Sequence, residues 1–474
     1  MLRNLTHNQK WIVATVYVCA MILNSLDSTI VNVTLATLGR EFGVEASAIE
    51  AVSVAYLVSL AVIMPASGWL SDKFGPKKVF LTALGIYATT NLLAGFAQTL
   101  DQLVLARILQ GLGGGLLVPV GMALLFRTFP PSERISVGRV LMFATILGPA
   151  LGPVLGGLIL QFSSWPWTFF IKVPVATAAL LYGWKYLIDE GTDNEAGKLD
   201  WLGFMLGGLG LGAAMYAVLE GPDLGWTHPG ILTPAVIGVS SLTLFVWHEL
   251  RTPQPMVDLR LISNRLFFGV MRVGFFATAG FLGTLFLIPL FLQDVRGATP
   301  LVAGLTTMPE AIGVVISTQI VAKIYPRIGP SRLMSGSLFM VALAIFGLSR
   351  VNMETPYWLV GMWSFAIGVG MAGVFLPNQA ASMATIPKPK LSGASMLYSV
   401  QRQVAGALGV ATMSTVLSVI GIYNTGTEGG GEVNLFAWQT AFLVAAGLSL
   451  IGSVFGLFVS DEDAAETMQR TRSA

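Results

Sequence analysis

Long apolar runs, separated by short breaks of charged residues, glycine and proline, cover most of the 474-residue chain. Each run is close to the ~20 residues that an α-helix needs to cross the hydrocarbon core of a bilayer. The pattern predicts fourteen membrane-spanning helices, near residues 11–34, 49–70, 78–97, 101–124, 137–160, 166–187, 200–220, 230–248, 266–292, 302–322, 333–349, 357–380, 394–420 and 436–459.

The composition excludes a soluble globular protein. Hydrophobic residues make up 54% of the chain and charged residues 11%, whereas soluble domains average roughly 25% charged residues. The mean hydropathy is +0.72. We therefore expect an all-α polytopic membrane protein, in which the length of the chain counts helices rather than globular domains.

The lysines and arginines predict which loops face the cytoplasm, because cytoplasmic loops carry most of these residues. With the N-terminus inside, the predicted inner segments hold 20 of the 27 lysines and arginines, and the outer loops hold three, Arg40, Arg296 and Arg350. This bias places both termini in the cytoplasm and requires an even number of spans. The first apolar run is too long for a signal peptide and carries Asp27, so we expect a retained span.

Two polar breaks divide the chain into three parts. The first is the loop 189–198, and the second runs from His248 to Arg265. We therefore predict an N-terminal six-helix bundle over residues 1–190, an inserted two-helix hairpin with its flanking loops over 191–260, and a C-terminal six-helix bundle with a cytoplasmic tail over 261–474. Paired bundles of this kind bind substrate near the bilayer midplane.

The fifth predicted helix contains a run of glycine and proline. Its glycines repeat four residues apart and share one helical face, and its prolines repeat at the same spacing. Within a membrane, small residues let helix backbones pack closely, and proline is tolerated because neighbouring groups satisfy the freed carbonyls. The run predicts a bent, tightly packed helix, and its members are Gly148, Pro149, Gly152, Pro153, Gly156 and Gly157.

A short repeat relates the two bundles. Residues 75–78 read Gly-Pro-Lys-Lys after the second predicted helix, and residues 329–332 read Gly-Pro-Ser-Arg after the tenth. The first copy also carries Asp72, where the second copy has Pro326.

Several motifs resemble those of the major facilitator superfamily, and the likeness extends over nearly the whole chain. The glycine and proline run resembles the antiporter motif of that family. Residues 26–33, 107–111 and 402–409 are similar to motifs of its fourteen-helix drug:H+ antiporter branch. The residues that look like the family's signature loop are Gly68, Asp72, Gly75, Lys77 and Lys78.

The resemblance implies a major facilitator fold of two six-helix bundles plus a two-helix insertion. It also implies a proton-coupled transporter of the cytoplasmic (inner) membrane that needs no cofactor. The chain departs from the usual pattern of the branch at four positions. Pro166 and Lys172 stand where the branch commonly has arginine and asparagine, Ala36 replaces a proline, and Glu310 is not a general feature. These departures leave the cargo open.

Asp27 is the first candidate for proton coupling. It lies about 16 residues into the first helix, roughly 24 Å from the cytoplasmic end, and hence in the outer half of the membrane. A carboxylate at that depth needs water, a partner or a proton, and one that meets each side of the membrane in turn can exchange its proton for a cationic substrate. The alternative is a permanently neutral acid bonded to a neighbouring helix.

Arg107, inside the fourth predicted helix, also needs a partner or a wet cavity. By the resemblance it tunes the proton site, and the alternative is a fixed hydrogen bond to backbone carbonyls. Glu310 lies about eight residues, roughly 12 Å, from the outer end of its helix. We expect it near mid-depth in the C-terminal bundle, which faces the half that carries Asp27, and a pair of acids on opposite halves can bind a lipophilic cation. The alternative is a neutral acid hydrogen-bonded near the Pro309 kink.

The remaining candidates serve the cavity and the gate. We expect Phe275 and Phe281 to line an apolar cavity suited to hydrophobic cations, although most aromatic residues face lipid or pack between helices. Arg402 is a weaker candidate because it lies near enough to the cytoplasmic end to snorkel. The Asp72 carboxylate can rest on the N-terminus of a helix in the other half and hold the inner side closed. Lys77 and Lys78 either share that role or only set topology.

The sequence therefore favours a proton-coupled multidrug efflux antiporter that works as a monomer on small amphipathic substrates, with protons and membrane lipids as its other partners. A lipid or metabolite exporter stays open. A receptor is a distant alternative, and so is a membrane enzyme, because the single cysteine and the histidines near helix ends form no catalytic cluster on facing helices. No phosphate-binding loop implies a nucleotide, and the basic residues are spread over short inner loops, so we expect no nucleic-acid partner. We expect no metal site, because the three histidines lie at or beyond predicted helix ends and Cys19 is alone.

Overall fold

The computed structural model describes residues 2–44, 46–189, 197, 199–253, 255–422 and 433–468. Its helices are α1 (Leu2–Phe42), α2 (Ala46–Ile63), α3 (Ala66–Phe74), α4 (Pro76–Gly95), α5 (Leu100–Thr128), α6 (Arg134–Phe162), α7 (Trp167–Phe170), α8 (Lys172–Tyr186), α9 (Trp201–Leu224), α10 (Pro229–Arg251), α11 (Arg265–Leu290), α12 (Pro300–Ile328), α13 (Pro330–Leu348), α14 (Tyr357–Ser382), α15 (Leu391–Ile420), α16 (Leu435–Gly456) and α17 (Ala465–Met468).

All fourteen predicted segments fall on helices, but two of them are broken. The segment at 49–70 is the pair α2 and α3, which meet at Pro65 with a bend of 56°. The segment at 166–187 is the pair α7 and α8, and Pro174 lies in the first turn of α8. Because proline has no backbone N–H to donate to the preceding turn, it interrupts the helical hydrogen bonds. Neither segment is the single continuous helix that the apolar pattern predicts.

The all-helical membrane fold is confirmed, whereas the total of fourteen spans stays a prediction. Among the described residues, ten helices are long and apolar enough to cross a membrane, and the bent pair α2 and α3 counts as an eleventh. The ten are α1, α5 and α9 to α16. The other three predicted spans are α4, α6 and the pair α7 and α8.

Two large apolar cores lie in the molecule. The first joins α1, α4, α5, α6 and α8 around side chains such as Tyr17 and Leu141, and it extends into the second half at Phe267 of α11 and Ala394 of α15. The second joins α11, α13, α14 and α16 around Val341 and Trp438. Because lipid is as apolar as these side chains, close packing rather than removal from water holds the helices of each half together.

The repeated Gly-Pro loops have similar backbone geometry in the two halves. Gly75, between α3 and α4, has φ 85° and ψ 136°, and Gly329, between α12 and α13, has φ 82° and ψ 164°. A positive φ favours glycine because it has no Cβ. Each glycine is followed by proline at the first position of the next helix, where a missing N–H is harmless. The geometry therefore supports the repeat that the sequence predicts.

The two-helix insertion, α9 and α10, is a hairpin that contacts α2 of the first half and α15 of the second. Glycines on α9 permit the close approach, since a Cβ on Gly212 would lie 2.7 Å from a side-chain atom of Val62 in α2. At the other end of the hairpin, Nε2 of His248 lies 2.7 Å from Oδ2 of Asp200. The hairpin is thus packed against both halves.

Candidate functional site

A buried ion cluster in the first half joins three helices. Asp27 of α1 is 0% exposed, and Arg107 of α5 and Lys172 of α8 are each 1% exposed. Nη1 of Arg107 lies 2.5 Å from Oδ2 of Asp27, and Nζ of Lys172 contacts Oδ1 of the same carboxylate. Asp27 therefore has two basic partners in the structure, and Arg107 binds the carboxylate of Asp27 as well as a backbone carbonyl.

Neutral groups also hold Arg107 in place, in addition to Asp27. Its Nε donates to the carbonyl of Val52 at 3.0 Å, and its Nη1 also donates to Oε1 of Gln110 at 2.9 Å. Its guanidinium lies 4.2 Å from the ring centroid of Tyr56, in cation–π contact. The hydroxyl of Tyr56 in turn donates to Oδ1 of Asn24 at 2.5 Å. These contacts leave Arg107 little freedom to move away from Asp27.

Lys172 is less firmly held. Besides Asp27, its ammonium faces the ring of Phe169, with 4.8 Å between Nζ and the ring centroid. Lys172 is the first residue of α8, directly after the break at Ile171. When all three groups are ionised, the cluster holds two cations and one carboxylate. A surplus buried charge is costly, because burial removes the water that would solvate it.

Small residues bring α1 close enough to its neighbours to bury Asp27. A Cβ on Gly148 or on Gly152 of α6 would overlap the side chain of Ser25 or of Thr29, which flank Asp27. The Thr29 hydroxyl donates to the Gly148 carbonyl at 3.3 Å. The glycine face of the predicted antiporter motif thus packs directly on α1 around the acid.

The rest of the glycine and proline run contributes less to that contact. A Cβ on Gly156 would lie 3.4 Å from Val33, an ordinary contact distance, and Gly157 is exposed with open space around it. The side chains of Pro149 and Pro153 lie outside the described part of the structure.

Glu310 lies apart from this cluster, in the second half. It follows Pro309 in α12 and is 7% exposed. A Cβ on Gly368 of α14 would overlap the Glu310 backbone, so α12 and α14 are in close contact at this level. Within the described part of the chain, no hydrogen-bond donor or basic side chain contacts the Glu310 carboxyl group. The structure therefore does not bring Glu310 to Asp27, but it buries both acids inside the protein.

The signature-loop residues lie where the two halves meet. Nη2 of Arg127, near the end of α5, lies 3.0 Å from Oδ1 of Asp72 and donates to Oγ of Ser392 at 2.7 Å. Ser392 is in the first turn of α15, in the second half. A Cβ on Gly68 would lie 3.3 Å from Cα of Gly393, so α3 and the start of α15 are in backbone contact there. Asp72 thus reaches the other half through Arg127.

The two lysines of that loop bind elsewhere. The Lys77 ammonium donates to the carbonyl of Leu187 at the end of the first half. Nζ of Lys78 lies 3.8 Å from Oδ2 of Asp189, and both side chains are exposed. Both partners belong to the first half, and an exposed pair in water is worth at most about 1 kcal/mol, so this pair does not hold the halves together.

The residues predicted to line a substrate cavity are half-buried and dispersed. Phe281 packs edge-on against Phe375 of α14 at 5.7 Å between centroids, and Phe275 packs against its neighbour Phe276 at 5.4 Å. Arg402 of α15 is close enough to the hydroxyls of Tyr17 in α1 and Tyr398 in α15 to interact with them electrostatically.

Two cavities are lined by other residues. One of about 770 Å³ lies at the ends of α11 and α16 and is lined by Arg272, Phe455 and Asp461, among others. The other, of about 530 Å³, lies between α12 and α14 and is lined by Pro309 and Tyr357, among others.

Sequence reasoning missed Lys172 and Arg127 as site residues. Lys172 was visible only as a departure from a family motif, although a lysine inside an apolar run is itself a signal. Arg127 carries no such signal, because a basic residue at a predicted cytoplasmic helix end is ordinary.

Comparisons with known proteins agree on the kind of protein. Residues 17–410 match the model of the Major Facilitator Superfamily. The chain is 31% identical over 474 residues, 98% of each chain, to the putative multidrug resistance protein MdtD of Cronobacter sakazakii. It is 28% identical to the multidrug resistance protein B homolog of Mycobacterium tuberculosis, covering 85% of this chain and 76% of that protein. The proton:xylose symporter XylE has a similar fold, with a TM-score of 0.67 at 14% identity over 98% of both chains.

Proposed function

We propose, from the premise that this chain belongs to the major facilitator superfamily, that it is a proton-coupled multidrug efflux antiporter. In this proposal it exports amphipathic, often cationic compounds by alternating access. Relatives named multidrug resistance proteins cover the chain almost end to end, which supports a drug-type transporter. The protein is a membrane transporter of this family and not an enzyme.

The observation that carries the proposal is the pair of buried acidic sites, one in each half. Asp27 lies between Arg107 and Lys172 in the first half, and Glu310 lies without a partner among the described residues of the second. Ionisable groups inside a membrane protein are costly and mark ion or substrate pathways. In our proposal the Asp27 cluster exchanges the proton, and Glu310 receives either a proton or the cationic part of a drug.

Alternation between two states needs a contact that opens and closes. The contact of Gly68 with Gly393 and the bridge from Asp72 through Arg127 to Ser392 join the halves at the end predicted to be cytoplasmic. We propose that this contact is the inner gate and that it is closed in the structure. Its opening would expose the interface between residues 1–190 and residues 261–474 to the cytoplasm.

The setting of the transporter follows from the same reasoning. The multi-pass fold and the bacterial relatives indicate the inner membrane. We further propose cytoplasmic termini, from the lysine and arginine bias, and a monomer that exchanges small molecules with protons in contact with membrane lipids.

Transport of a fluorescent cation in everted vesicles tests this function. Vesicles that contain the wild-type protein should accumulate ethidium when their interior is acidified, and collapse of the pH gradient should abolish the accumulation. The Asp27→Asn variant should lose gradient-driven accumulation, whereas Asp463→Asn, which changes an exposed acid in the tail, should behave as wild type. Accumulation that is indifferent to the pH gradient would contradict proton coupling.

A lipid cargo is the second candidate, and the cavity between α12 and α14 favours it. That cavity is lined mainly by apolar residues, begins one residue from Glu310, and lies beside the exposed side chains of Leu305 and Met362. An acyl chain could enter it from the membrane side. Failure of several unrelated drugs to compete with ethidium, together with export of a fluorescent lipid that depends on the protein, would favour this candidate.

A further inference from the structure

Lys172 is the cluster member that the proposed mechanism leaves without a role. It is 1% exposed and contacts Asp27. Arg107 of α5 contacts the other oxygen of the same carboxylate and also donates to Gln110, and the neutral hydroxyls of Tyr56 in α2 and Tyr87 in α4 lie around the acid. In the described part of the chain, Asp27 is the acid that pairs with either cation.

The charge count decides which group can exchange a proton. With all three groups ionised, the net charge is +1. Protonation of Asp27 would raise it to +2 and leave two buried cations side by side, whereas loss of the Lys172 proton would bring it to zero. Burial penalises surplus charge, and the guanidinium of Arg107 cannot be deprotonated in a protein. The exchange that relieves the cluster is therefore loss of the Lys172 proton.

We propose that Lys172 carries the proton that this transporter exchanges, and that a cationic substrate displaces it by binding the Asp27 carboxylate. This inference rests on the proposed function, and it moves the exchangeable proton from the acid to the amine. The step breaks one N–H bond of the ammonium, the proton goes to water on the open side, and the neutral amine keeps the electron pair. Arg107 stays on Oδ2 throughout.

The shared carboxylate makes this exchange obligatory. The Lys172 ammonium occupies Oδ1 of Asp27, and Arg107 occupies Oδ2. A second cation can reach Oδ1 only if the ammonium leaves or loses its charge. Because one positive charge replaces another, the cluster keeps the same net charge with proton or with substrate bound. The arrangement therefore selects cations as cargo and disfavours a state in which both are bound.

Substrate-induced proton release tests the inference directly. Purified full-length protein in detergent and weak buffer receives tetraphenylphosphonium, and a pH-sensitive dye reports released protons while binding is measured in parallel. Lys172→Arg keeps the positive charge but cannot give up a proton. It should still fold, and it should bind tetraphenylphosphonium more weakly than the wild type, because its guanidinium keeps its charge beside Oδ1 of Asp27. For each cation that does bind it should release about one proton fewer than the wild type, because one proton is all that an ammonium gives up on becoming an amine. The exposed Lys388→Arg should release as many as the wild type.

A second variant guards against misfolding of the first. Lys172→Asn removes the proton and the surplus charge, and leaves Asp27 paired with Arg107. It should bind tetraphenylphosphonium with the same deficit of about one proton, because no amine is left to titrate. Wild-type proton release in either folded variant would overturn the role of Lys172 and leave the transporter proposal standing. Absence of both proton release and gradient-driven transport in the wild type would overturn the proposed function and this inference with it.

Discussion

Removing the acid of the buried cluster should destabilise the protein far more than removing its lysine. Asp27→Asn leaves Arg107 and Lys172, each 1% exposed, without the carboxylate that both contact. Loss of one partner from a buried ion pair typically costs about 3–5 kcal/mol, because the other charge stays buried and unpaired. With two cations left behind, the loss should lie toward the upper end of that range.

Lys172→Asn should cost far less stability than Asp27→Asn. It removes the surplus cation and leaves Asp27 and Arg107 as a one-to-one pair, with Val52 and Gln110 still bonded to the guanidinium. We expect its stability to stay within about 1 kcal/mol of the wild type, because the relief of surplus charge offsets the lost contact. In the double variant, only Arg107 stays charged, so its stability should lie above that of Asp27→Asn. The two substitutions should therefore couple.

The chain is well suited to the measurement. Its single cysteine, Cys19, is half-buried in α1, the helix that carries Asp27. A maleimide dye that fluoresces on reaction with this thiol reports thermal unfolding in detergent. The midpoint should be lowest for Asp27→Asn, intermediate for the double variant, and similar for Lys172→Asn and the wild type. Asp463→Asn, at an exposed position, controls for loss of an acid elsewhere.

One result would refute this reasoning. If Asp27→Asn unfolds at the wild-type temperature while Lys172→Asn unfolds well below it, the Asp27 carboxylate is not the counter-charge that holds the two buried cations. The charge count on which both expectations rest would then be wrong.

Two further predictions concern the second half and the gate. Glu310→Gln should abolish gradient-driven efflux of ethidium, because Glu310 is buried and in our proposal receives a proton or the cationic part of the drug. Glu354→Gln, in an exposed loop, should leave efflux unchanged. Retained wild-type transport in Glu310→Gln would remove Glu310 from the mechanism. Asp72→Asn should slow turnover several-fold without a change in substrate Kd, because it weakens the bridge through Arg127 to Ser392 and touches no substrate site. Changed affinity at unchanged turnover would contradict the gate.

The helices and their order could be predicted because the signals are local. An apolar run of about 20 residues predicts a membrane-spanning helix. The glycines of residues 148–156 share one helical face because they repeat four residues apart. The break at Pro65 and the break at Ile171, three residues before Pro174, were harder to predict, because proline is often accommodated inside membrane helices. Only the packing of the neighbouring helices decides whether the chain bends at such a proline.

The partners of the charged residues were beyond the reach of sequence. Asp27 and Arg107 each demand a partner, but nothing in their spacing joins positions 80 residues apart, and α8 brings Lys172 from 145 residues away. The same limit explains Phe275 and Phe281. Aromatic residues on an apolar helix are equally suited to a cavity and to helix packing, and both are half-buried against other phenylalanines.

The repeated Gly-Pro loop makes different contacts in the two halves. Three residues before Gly75, Asp72 of the first half pairs with Arg127, which in turn donates to Ser392 of the second half. The second half has Pro326 in place of that acid, but Asp461 from beyond α16 accepts a hydrogen bond from the backbone N–H of Ser331 at 2.8 Å. A carboxylate near the first turn of a helix is stabilising, because it meets unpaired N–H groups and the positive end of the helix dipole.

Asp461 therefore caps α13 from within its own half, whereas Asp72 is linked across the interface. A cap inside one half moves with that half and resists nothing when the halves rock. A bridge across the interface must break each time the inner side opens. Of the two repeated loops, only the first takes part in a contact that must break, and this contact lies between α3 and α15. A change at Asp72 should therefore alter turnover, whereas a change at Asp461 should alter only stability.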